Sequence, residues 1–518
     1  MSDSDEAPRE FVDLAAPQYV EEALRRREGV LTGSGALCVD TGRRRGRSPG
    51  DRFIVREPSS EDAIDWGPVN RPFDAGRFDA LWERVEAHLG ERDQFLAHLH
   101  VAAHGDHYLP LELRCDLAWH ALFARSLLTP AAPWNPERKP QWRVLCAARF
   151  SCDPQRDGSA SDATVIIHFA RRRILLAGMR LSGELKHAVF TVQNFLLPEK
   201  DVLPMHCAAS RGPAGDTALF FGASGSGKST LSTDPERPLI GDDEHGWARG
   251  ELFRLEGGCY AHIRDLQRRE RRARSEPLRF GAIVENAAVD ARGAAPVNSG
   301  RCCIPLDHLP GRVAADRCAA PRHIFFLCRD IAGVLPALAI LSPQAAAFHF
   351  LAGYASRGKP AGDDDPRAMY GHFSACFSAL QLPRRPRDYA ELLSRRIEES
   401  GSTVYLVNTG FLGPPAGTAA RGRPAARQPL SLTRALIDAA LADRLQTVPR
   451  QSLSALNLAF PRAAPGVDAQ LLDPRASWPD GAAYDDAARA LGSQLRDAVL
   501  RFDPPGATLA AGPPAPGP

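Results

Sequence analysis

A glycine-rich loop that follows a short apolar strand constrains this 518-residue chain more than any other feature. Residues 222–229 read GASGSGKS and fit the pattern GxxxxGK[ST], and the apolar run 217–221 stands directly before them. In such a strand–loop–helix unit, glycines let backbone N–H groups turn inward and cradle phosphate oxygens. The alternative is a Gly/Ser-rich surface loop. The strand in front and Thr230-Leu231 behind favour a P-loop, hence an α/β fold.

The residue types in this loop suit a nucleotide triphosphate. Lys228 can reach the β- and γ-phosphates, and the Ser229 hydroxyl can bind Mg²⁺. We therefore predict that the nucleotide-binding residues are Gly222, Ala223, Ser224, Gly225, Ser226, Gly227, Lys228, Ser229 and Thr230.

An acidic cluster follows the loop. Residues 239–247 read LIGDDEHGW, a short apolar strand end followed by Asp242, Asp243 and Glu244. Carboxylate oxygens are the hard ligands that Mg²⁺ and Mn²⁺ prefer. A solvated acidic turn is the alternative, but the position beside a P-loop favours a metal site.

The longer pattern around both motifs resembles one family. MHC at 205–207, DTALFFGASGSGKSTLSTDPERPLIGDDEHGW at 216–247 and EGGCYA at 256–261 are similar to the ATP-dependent phosphoenolpyruvate carboxykinases. Further matches occur in the same order as in that family: TG and GRSP within 41–49, YLVNTG at 405–410, TRA at 433–435 and PGVD at 465–468. Many unrelated folds carry GxxxxGK[ST], whereas the continuation to residue 247 is far more specific.

The resemblance implies a two-lobed carboxykinase-like α/β fold with a P-loop lobe. We predict an N-terminal mixed α/β lobe on the substrate side at 1–200 and a nucleotide- and metal-binding lobe at 201–503. The Pro/Ala/Gly-rich segment 504–518 is predicted to be a disordered tail. The implied reaction converts oxaloacetate and ATP to phosphoenolpyruvate, ADP and CO₂, a step of gluconeogenesis. ATP, Mg²⁺ and Mn²⁺ are the implied cofactors, and a monomer is the implied state.

The resemblance also assigns roles to single residues. Arg47 matches an arginine that grips a carboxylate of the oxo-acid, a task that suits a guanidinium fork. His206 and Asp243 match ligands of the first metal, and Asp242 supports them. Lys186 and Arg301 match catalytic residues, and Arg301 matches the arginine that faces the transferring phosphate. The positions that match residues beside the nucleoside are Arg427, Gln428 and Thr433.

Several positions depart from the family pattern. The family has two successive lysines where this chain has Lys186 and His187, and the second lysine is a metal ligand. Neutral imidazole binds metals without shedding a proton from a group of pKa about 10, so we predict a site of His187, His206 and Asp243. The alternative is that His187 points into the core.

Further departures lie mainly on the oxo-acid side. Leu181 replaces a tyrosine, and His262 replaces a lysine. Arg271 stands where the family has a glutamate, although a shift of one residue supplies Glu270. Gln428 replaces an apolar residue of the base-binding segment. These changes leave alternatives open: a paralogue acting on a related oxo-acid or phosphoryl acceptor, a nucleotide-binding pseudoenzyme and, more remotely, a kinase of the HPr-kinase type.

Composition excludes other classes. The chain is 44% apolar and 24% charged with a net charge of +2, so we expect neither nucleic acid nor a membrane as partner. Eleven cysteines without a CxxC pair indicate reduced thiols. The acidic N-terminus without an apolar stretch predicts the cytoplasm.

Periodicity predicts the main elements. We expect helices at 19–27, 78–89, 113–128, 186–197 and 343–353, and strands at 36–40, 51–55, 164–169, 173–177 and 322–328. Residues 358–371 lie where the family has a mobile lid, and 414–429 are predicted to be a flexible loop.

Overall fold

The protein has a mixed α/β architecture built on three principal sheets. A computed structural model describes residues 7–102, 105–130, 141–223, 225–234, 236–263, 277–287, 300–309, 311–358, 369–414 and 426–515. The first sheet contains, in spatial order, Glu10–Val12, Gln94–Val101, Leu109–Cys115, Trp142–Ala147, Arg173–Ala177, Thr164–His168, Arg52–Val55 and Pro72–Phe73. Thr129–Pro130 pairs with Gln94–Val101.

The second sheet carries the P-loop. Its strands, in spatial order, are Arg317–Ala319, Glu251–Arg254, Glu244–Ala248, Leu203–Arg211, Thr217–Phe221, Pro321–Cys328, Thr403–Asn408, Leu338–Leu341, Leu458–Pro461 and Arg450–Leu453, and Leu239–Gly241 also pairs with Leu203–Arg211. The strand before the P-loop is parallel to Pro321–Cys328, which is parallel to Thr403–Asn408. These central strands are buried almost throughout, as parallel strands covered on both faces should be.

The third sheet joins residues from both sides of the predicted lobe boundary. It contains, in order, Gly258–His262, Arg301–Pro305, Ile283–Glu285, Leu37–Val39 and Gly29–Leu31. Two of its strands thus come from before residue 200 and three from after it. The division at 200/201 stays a prediction. Two short hairpins, Tyr354–Gly358 with Met369–Phe373 and Phe411–Leu412 with Ala426–Arg427, complete the strands.

The helices pack on these sheets. They are α1 Ala16–Arg25, α2 Ala75–Gly90, α3 Ala118–Leu127, α4 Pro154–Asp157, α5 Ser182–Leu196, α6 Lys228–Leu231, α7 Pro343–Ala352, α8 Pro386–Ser400, α9 Leu430–Leu441, α10 Gly481–Leu500 and α11 Gly506–Ala510. Asp74 caps α2 by accepting from the Arg77 N–H at 2.8 Å, and Pro386 opens α8. Among the described residues, no helix combines the length and the apolar character needed to cross a bilayer.

Most predicted elements are confirmed to within a few residues, and two expectations are wrong. Residues 113–115 do not begin a helix; they end the strand Leu109–Cys115, which pairs antiparallel with Gln94–Val101. The tail predicted to be disordered contains α11. Leu509 packs against the core of the second sheet, and the Asn457 amide donates to the carbonyls of Ala510 and Gly512 at 3.3 and 3.1 Å. These contacts compensate for the weak helix preference of the segment.

Three other sequence predictions concern loops and thiols. Residues 359–368 of the predicted lid and 415–425 of the predicted flexible loop lie outside the described residues, as do Glu270 and Arg271. All eleven cysteines lie in the described part of the chain, and none of them forms a disulfide there.

Candidate active site

A cavity of about 370 Å³ brings most of the predicted residues together. Its wall is formed by Arg47, His206, Ala223, Gly225, Ser226, Gly227, Lys228, Ser229, Thr230, Leu231, Asp242, Asp243, Tyr260, Ala261, His262, Arg301, Thr409, Arg427, Gln428, Leu430 and Thr433. The P-loop, residues 222–230, shares this wall with two groups that we call the His206 end (Arg47, His206, Asp243, Arg301) and the Gln428 end (Arg427, Gln428, Leu430, Thr433). Gly222, Lys186 and His187 lie behind the wall, and Ser224 is outside the described residues.

The P-loop has a backbone that requires glycine. Gly222 has φ +151°, and a Cβ there would lie 2.3 Å from the Ser226 Oγ and 2.8 Å from the Leu327 carbonyl oxygen. Gly227 has φ +105° directly before α6. The Lys228 ammonium donates to the Gly222 carbonyl at 2.6 Å, so it spans the loop. The lysine is thereby held where phosphates would meet it.

Strand register explains why His206 and the acidic cluster meet. The strand Leu203–Arg211 pairs antiparallel with Glu244–Ala248, which places His206 opposite Glu244. The His206 Nδ1 lies 3.0 Å from a Glu244 oxygen, and its Nε2 lies 3.5 Å from an Asp243 oxygen. One ligand atom each from His206, Asp243 and Glu244 lies within 4.8 Å of the others. One imidazole and two carboxylates suit Mn²⁺ or Mg²⁺.

Lys186 on α5 forms an ion cluster behind these ligands. Its ammonium lies 2.9 Å from Asp243 and 3.1 Å from Glu256, and its side chain is 1% exposed. Burial by itself lowers the pKa of a lysine, but the adjacent carboxylates outweigh it and raise the pKa of Lys186 well above the usual value. Burial opposes ionisation of Asp243 as well, yet His206 and Lys186 hold its pKa well below the usual range. Asp243 is therefore a carboxylate and Lys186 an ammonium at neutral pH.

His187, the next residue of α5, does not join the group of His206, Asp243 and Glu244. Its Nδ1 contacts the side-chain amide nitrogen of Gln381, and the Ser378 hydroxyl lies 2.6 Å from the amide oxygen. Burial, followed by the charges of Arg47 and Arg52, lowers the pKa of His187 well below the usual value. The ring is neutral and is held through its Nδ1 by Gln381. Its metal-binding role stays a prediction.

Two arginines at the His206 end have no carboxylate partner within the described chain. Arg301 lies over the ring of Tyr260, 5.2 Å from its centroid. The Arg47 residue as a whole is exposed, but neighbouring protein atoms remove water from around its guanidinium group. This desolvation, followed by repulsion from Arg301 and Arg52, lowers the pKa of Arg47. Two guanidinium groups that repel each other favour an anion between them.

A hydrogen-bonded network fixes Tyr260 beneath Arg301. The buried carboxylate of Glu285 accepts from the Tyr260 hydroxyl and, at 2.5 Å, from the Ser182 hydroxyl. Burial, reinforced by Glu285, raises the pKa of Tyr260 well above the usual value, so the phenol stays neutral. Leu181, the residue before α5, is buried and supplies no hydroxyl.

At the Gln428 end, the chain runs beside the P-loop. The Thr409 hydroxyl donates to the Ser226 carbonyl at 2.8 Å, and the Gln428 N–H donates to the Gly410 carbonyl at 2.8 Å. Closer to the metal side, the Ser229 hydroxyl donates to Asp242 at 3.2 Å. The predicted nucleotide residues on both sides of the P-loop therefore share one wall.

Four residues organise the site although sequence reasoning gave Glu244 a role only as part of the acidic cluster and gave none to Glu256, Glu285 or Gln381. Glu256 accepts from the backbone N–H groups of Asp243 and Glu244 at 3.0 and 3.2 Å as well as from Lys186. Glu244 and Glu256 stand inside the recognised motifs, so position in the motif was an available signal. Glu285 and Gln381 belong to no motif, and Gln381 lies 194 residues from its partner His187.

Comparison with known proteins shows the family to which the chain belongs. Residues 9–470 match the family model of phosphoenolpyruvate carboxykinase of the ATP-dependent type. Phosphoenolpyruvate carboxykinase (ATP) 2 of Moorella thermoacetica is 43% identical over 514 residues, covering 97% of this chain and 96% of that protein. The Thermus thermophilus enzyme is 42% identical, and the match covers 95% of this chain and 94% of that protein. The Geobacillus kaustophilus enzyme is 40% identical, and the match covers 94% of this chain and 93% of that protein. The α/β fold class predicted from the sequence is confirmed, and this chain belongs to the ATP-dependent phosphoenolpyruvate carboxykinase family.

Proposed function

We propose that this protein converts oxaloacetate and ATP to phosphoenolpyruvate, ADP and CO₂. The observation that carries the proposal is that the P-loop, the Gln428 end and the cationic His206 end line one cavity. A triphosphate on the P-loop would direct its γ-phosphoryl group toward Arg47, Arg301 and Asp243. An oxo-acid bound there would lie in line with the group to be transferred.

The chemistry needs two steps. The bond between the C4 carboxylate and C3 of oxaloacetate breaks, CO₂ leaves, and the electron pair remains as an enolate. The enolate oxygen then attacks the γ-phosphorus, and the bond to the bridging oxygen breaks to release ADP. Little covalent chemistry falls to the protein, so its contribution is positioning and electrostatic stabilisation.

The described residues fit those demands. Lys228 would exchange its bond to the Gly222 carbonyl for the β- and γ-phosphates, since it already spans the loop. Arg47 would bind a carboxylate of the oxo-acid, and Arg301 would neutralise charge on the transferring phosphoryl group. Lys186 would remain charged beside Asp243 and place a positive charge near the enolate.

The donor set also fits the divalent ions of the family. His206 and Asp243, with Glu244 adjacent, would hold one ion, and Ser229 with Asp242 beside it would hold a second. When bound, such ions supply charge stabilisation at the enolate oxygen and the phosphates. Two carboxylates with one imidazole favour Mn²⁺ at the first site, and the hydroxyl site favours Mg²⁺.

A second candidate is transfer to a related oxo-acid. It is favoured by the replacement of a tyrosine by the buried Leu181 and by the anchoring of His187 on Gln381. Loss of a polar group from a pocket changes discrimination among substrates by orders of magnitude when a substrate oxygen loses its partner. The P-loop half of the reaction would be unchanged.

One assay separates these functions. A coupled assay follows ADP formation in the presence of ATP, Mg²⁺ and Mn²⁺. Separate reactions contain oxaloacetate, another 2-oxo acid or no acceptor, and the product of each reaction is identified. We expect ADP formation that depends on oxaloacetate and yields equal phosphoenolpyruvate. ADP without an acceptor is idle hydrolysis, and a larger response to another oxo-acid would support the second candidate.

A monomeric state and a cytoplasmic location remain predictions, as does the expectation that neither nucleic acid nor a membrane is a partner.

A further inference from the structure

A cysteine of the third sheet contacts a carboxylate that lies beside the P-loop at the end of a strand of the second sheet. Cys259 lies on the strand Gly258–His262, and its thiol donates to the Asp242 Oδ2 at 2.9 Å. Asp242 directly follows the strand Leu239–Gly241. Cys259 is fully buried and Asp242 is 3% exposed, so the contact lies inside the protein, although Asp242 also forms part of the cavity wall. The steps of the proposed reaction do not use this thiol.

The backbone around Cys259 is held on both sides. Its strand pairs antiparallel with Arg301–Pro305, which places Cys259 opposite Ile304. The strand also lies against α3, since a Cβ on Gly258 would lie 2.2 Å from the Ser126 carbonyl oxygen. Neither the partner strand nor the helix leaves room for a shift of the chain. The thiol therefore projects toward the carboxylate from a fixed position.

Both oxygens of the Asp242 carboxylate accept hydrogen bonds. Oδ2 accepts from Cys259, and Oδ1 accepts from the Ser229 hydroxyl at 3.2 Å. Because the carboxylate is bonded at both oxygens, its rotation is restrained, and the thiol helps to set where Oδ1 lies. A serine hydroxyl has one hydrogen and two lone pairs. With the hydrogen directed at Asp242, the lone pairs of Ser229 are left for a ligand in the cavity, whose wall includes this serine.

A divalent ion that accompanies the triphosphate needs such an oxygen. This step rests on the proposed function, in which Ser229 binds that ion. We propose that Cys259 is a positioning residue for the ion: its thiol orients Asp242, and Asp242 keeps the hydroxyl hydrogen of Ser229, so that the lone pairs stay available. The buried thiol acts through the carboxylate and does not touch the ion. Outer partners of metal ligands change metal affinity by about 10- to 100-fold. A thiol is a weak donor, so its effect should lie at the lower end of that range.

The test compares nucleotide binding with and without the ion. Dissociation constants of ATP are measured by calorimetry in excess Mg²⁺ and in EDTA, for the wild type and for three variants. Cys259→Ala removes the donor, Cys259→Val removes it while filling the space, and Cys259→Ser keeps a donor. We expect both apolar variants to bind ATP about tenfold more weakly with Mg²⁺ and within about twofold of the wild type without it. Cys259→Ser should stay within about threefold of the wild type under both conditions.

Cys38→Ala is the matched control. Cys38 is a buried thiol of the same apolar cluster, and it contacts the Ala287 carbonyl at 3.4 Å instead of a carboxylate. Both dissociation constants of this variant should stay within about twofold of the wild type. A tenfold loss in Cys38→Ala would overturn the proposal, because removal of any buried thiol from this cluster would then have the same effect.

Other outcomes at Cys259 are equally decisive. Wild-type affinity for ATP and Mg²⁺ in the apolar variants would overturn the proposal, as would an equal loss with and without Mg²⁺ or an equal loss in Cys259→Ser. Circular dichroism checks the fold, and failure of both apolar variants to fold would assign the thiol a structural role instead. No oxaloacetate is present in these measurements. Binding of ATP with Mg²⁺ but without carboxykinase turnover would therefore contradict the proposed function and still decide the role of Cys259.

Discussion

The P-loop and the His206 end of the cavity differ in how they are built. The P-loop and its neighbours come from one continuous segment, whose strand, loop and short helix follow each other directly. The His206 end gathers Arg47, His206, Asp243 and Arg301 from separate parts of the chain. A continuous segment fixes its own geometry, whereas an assembled end depends on packing among distant residues. Substrate preference can therefore change at the assembled end while the nucleotide chemistry is kept.

Loss of the P-loop lysine should have the largest effect. Lys228→Ala removes the cation that meets the β- and γ-phosphates, and we expect kcat for phosphoryl transfer to fall by about 10³-fold or more. Steady-state assays with saturating oxaloacetate and ATP give the value, and circular dichroism checks the fold. Lys200→Ala alters an exposed lysine on the Asp106 carbonyl and should keep wild-type kcat. Equal turnover by Lys228→Ala would refute the P-loop assignment.

A change at the His206 end should affect the oxo-acid alone. Arg47→Gln removes a guanidinium that has no carboxylate partner among the described residues, so we expect KM for oxaloacetate to rise about 30- to 100-fold because a charge-assisted pair with the substrate is lost. KM for ATP should stay within about threefold, since the P-loop is continuous and separate. Arg45→Gln, in the same loop but exposed and near Asp40, is the matched control. A parallel rise in both KM values would show that the two ends are not independent.

Metal binding tests which histidine belongs to the site. Mn²⁺ affinity without nucleotide, followed by electron paramagnetic resonance, should fall at least about tenfold in His206→Ala, because a direct ligand is lost. We expect His187→Ala to stay within about twofold, since the His187 ring contacts Gln381 and lies outside the group of His206, Asp243 and Glu244. A matching loss in both variants would support His187 as a ligand, as the sequence predicted.

A substitution of Glu28, which lies outside the cavity, should leave both KM values unchanged and alter only the free energy of unfolding. Burial raises the pKa of Glu28 from 4.5 to about 7, although Arg149 lies 3.5 Å away. The folded state therefore favours the protonated acid, and its stability falls as pH rises from about 4.5 to about 7. Glu28→Gln mimics the neutral form, so it should be about 1–2 kcal/mol more stable than the wild type at pH 8.

Urea unfolding at pH 5 and pH 8 measures this difference, which should shrink toward zero at the lower pH. An equal difference at both pH values would mean that Glu28 does not titrate in this range. Both KM values should match the wild type, since Glu28 contacts the Trp119 backbone and not the cavity.

The sequence by itself determined the parts of this protein that are local. The strand before Gly222, the turn that demands glycine and the carboxylates after residue 241 are encoded by neighbouring residues, so pattern and spacing predict their geometry. Leu109–Cys115 was missed because pairing with Gln94–Val101, rather than its own periodicity, decides its structure. The helix at 506–510 was missed because packing against the core stabilises it.

Only the tertiary structure decided which side chains contact each other at and behind the His206 end. The resemblance placed His187 on a ligand position, but its ring contacts Gln381, 194 residues away. Lys186 contacts Glu256 across 70 residues of the chain, and Ser182 contacts Glu285 across 103. Spacing along the chain carries no information on such contacts, since side-chain direction and burial are set by the packing of whole elements. That packing, and not the motif, determines which group is charged, which is neutral and which faces the substrate.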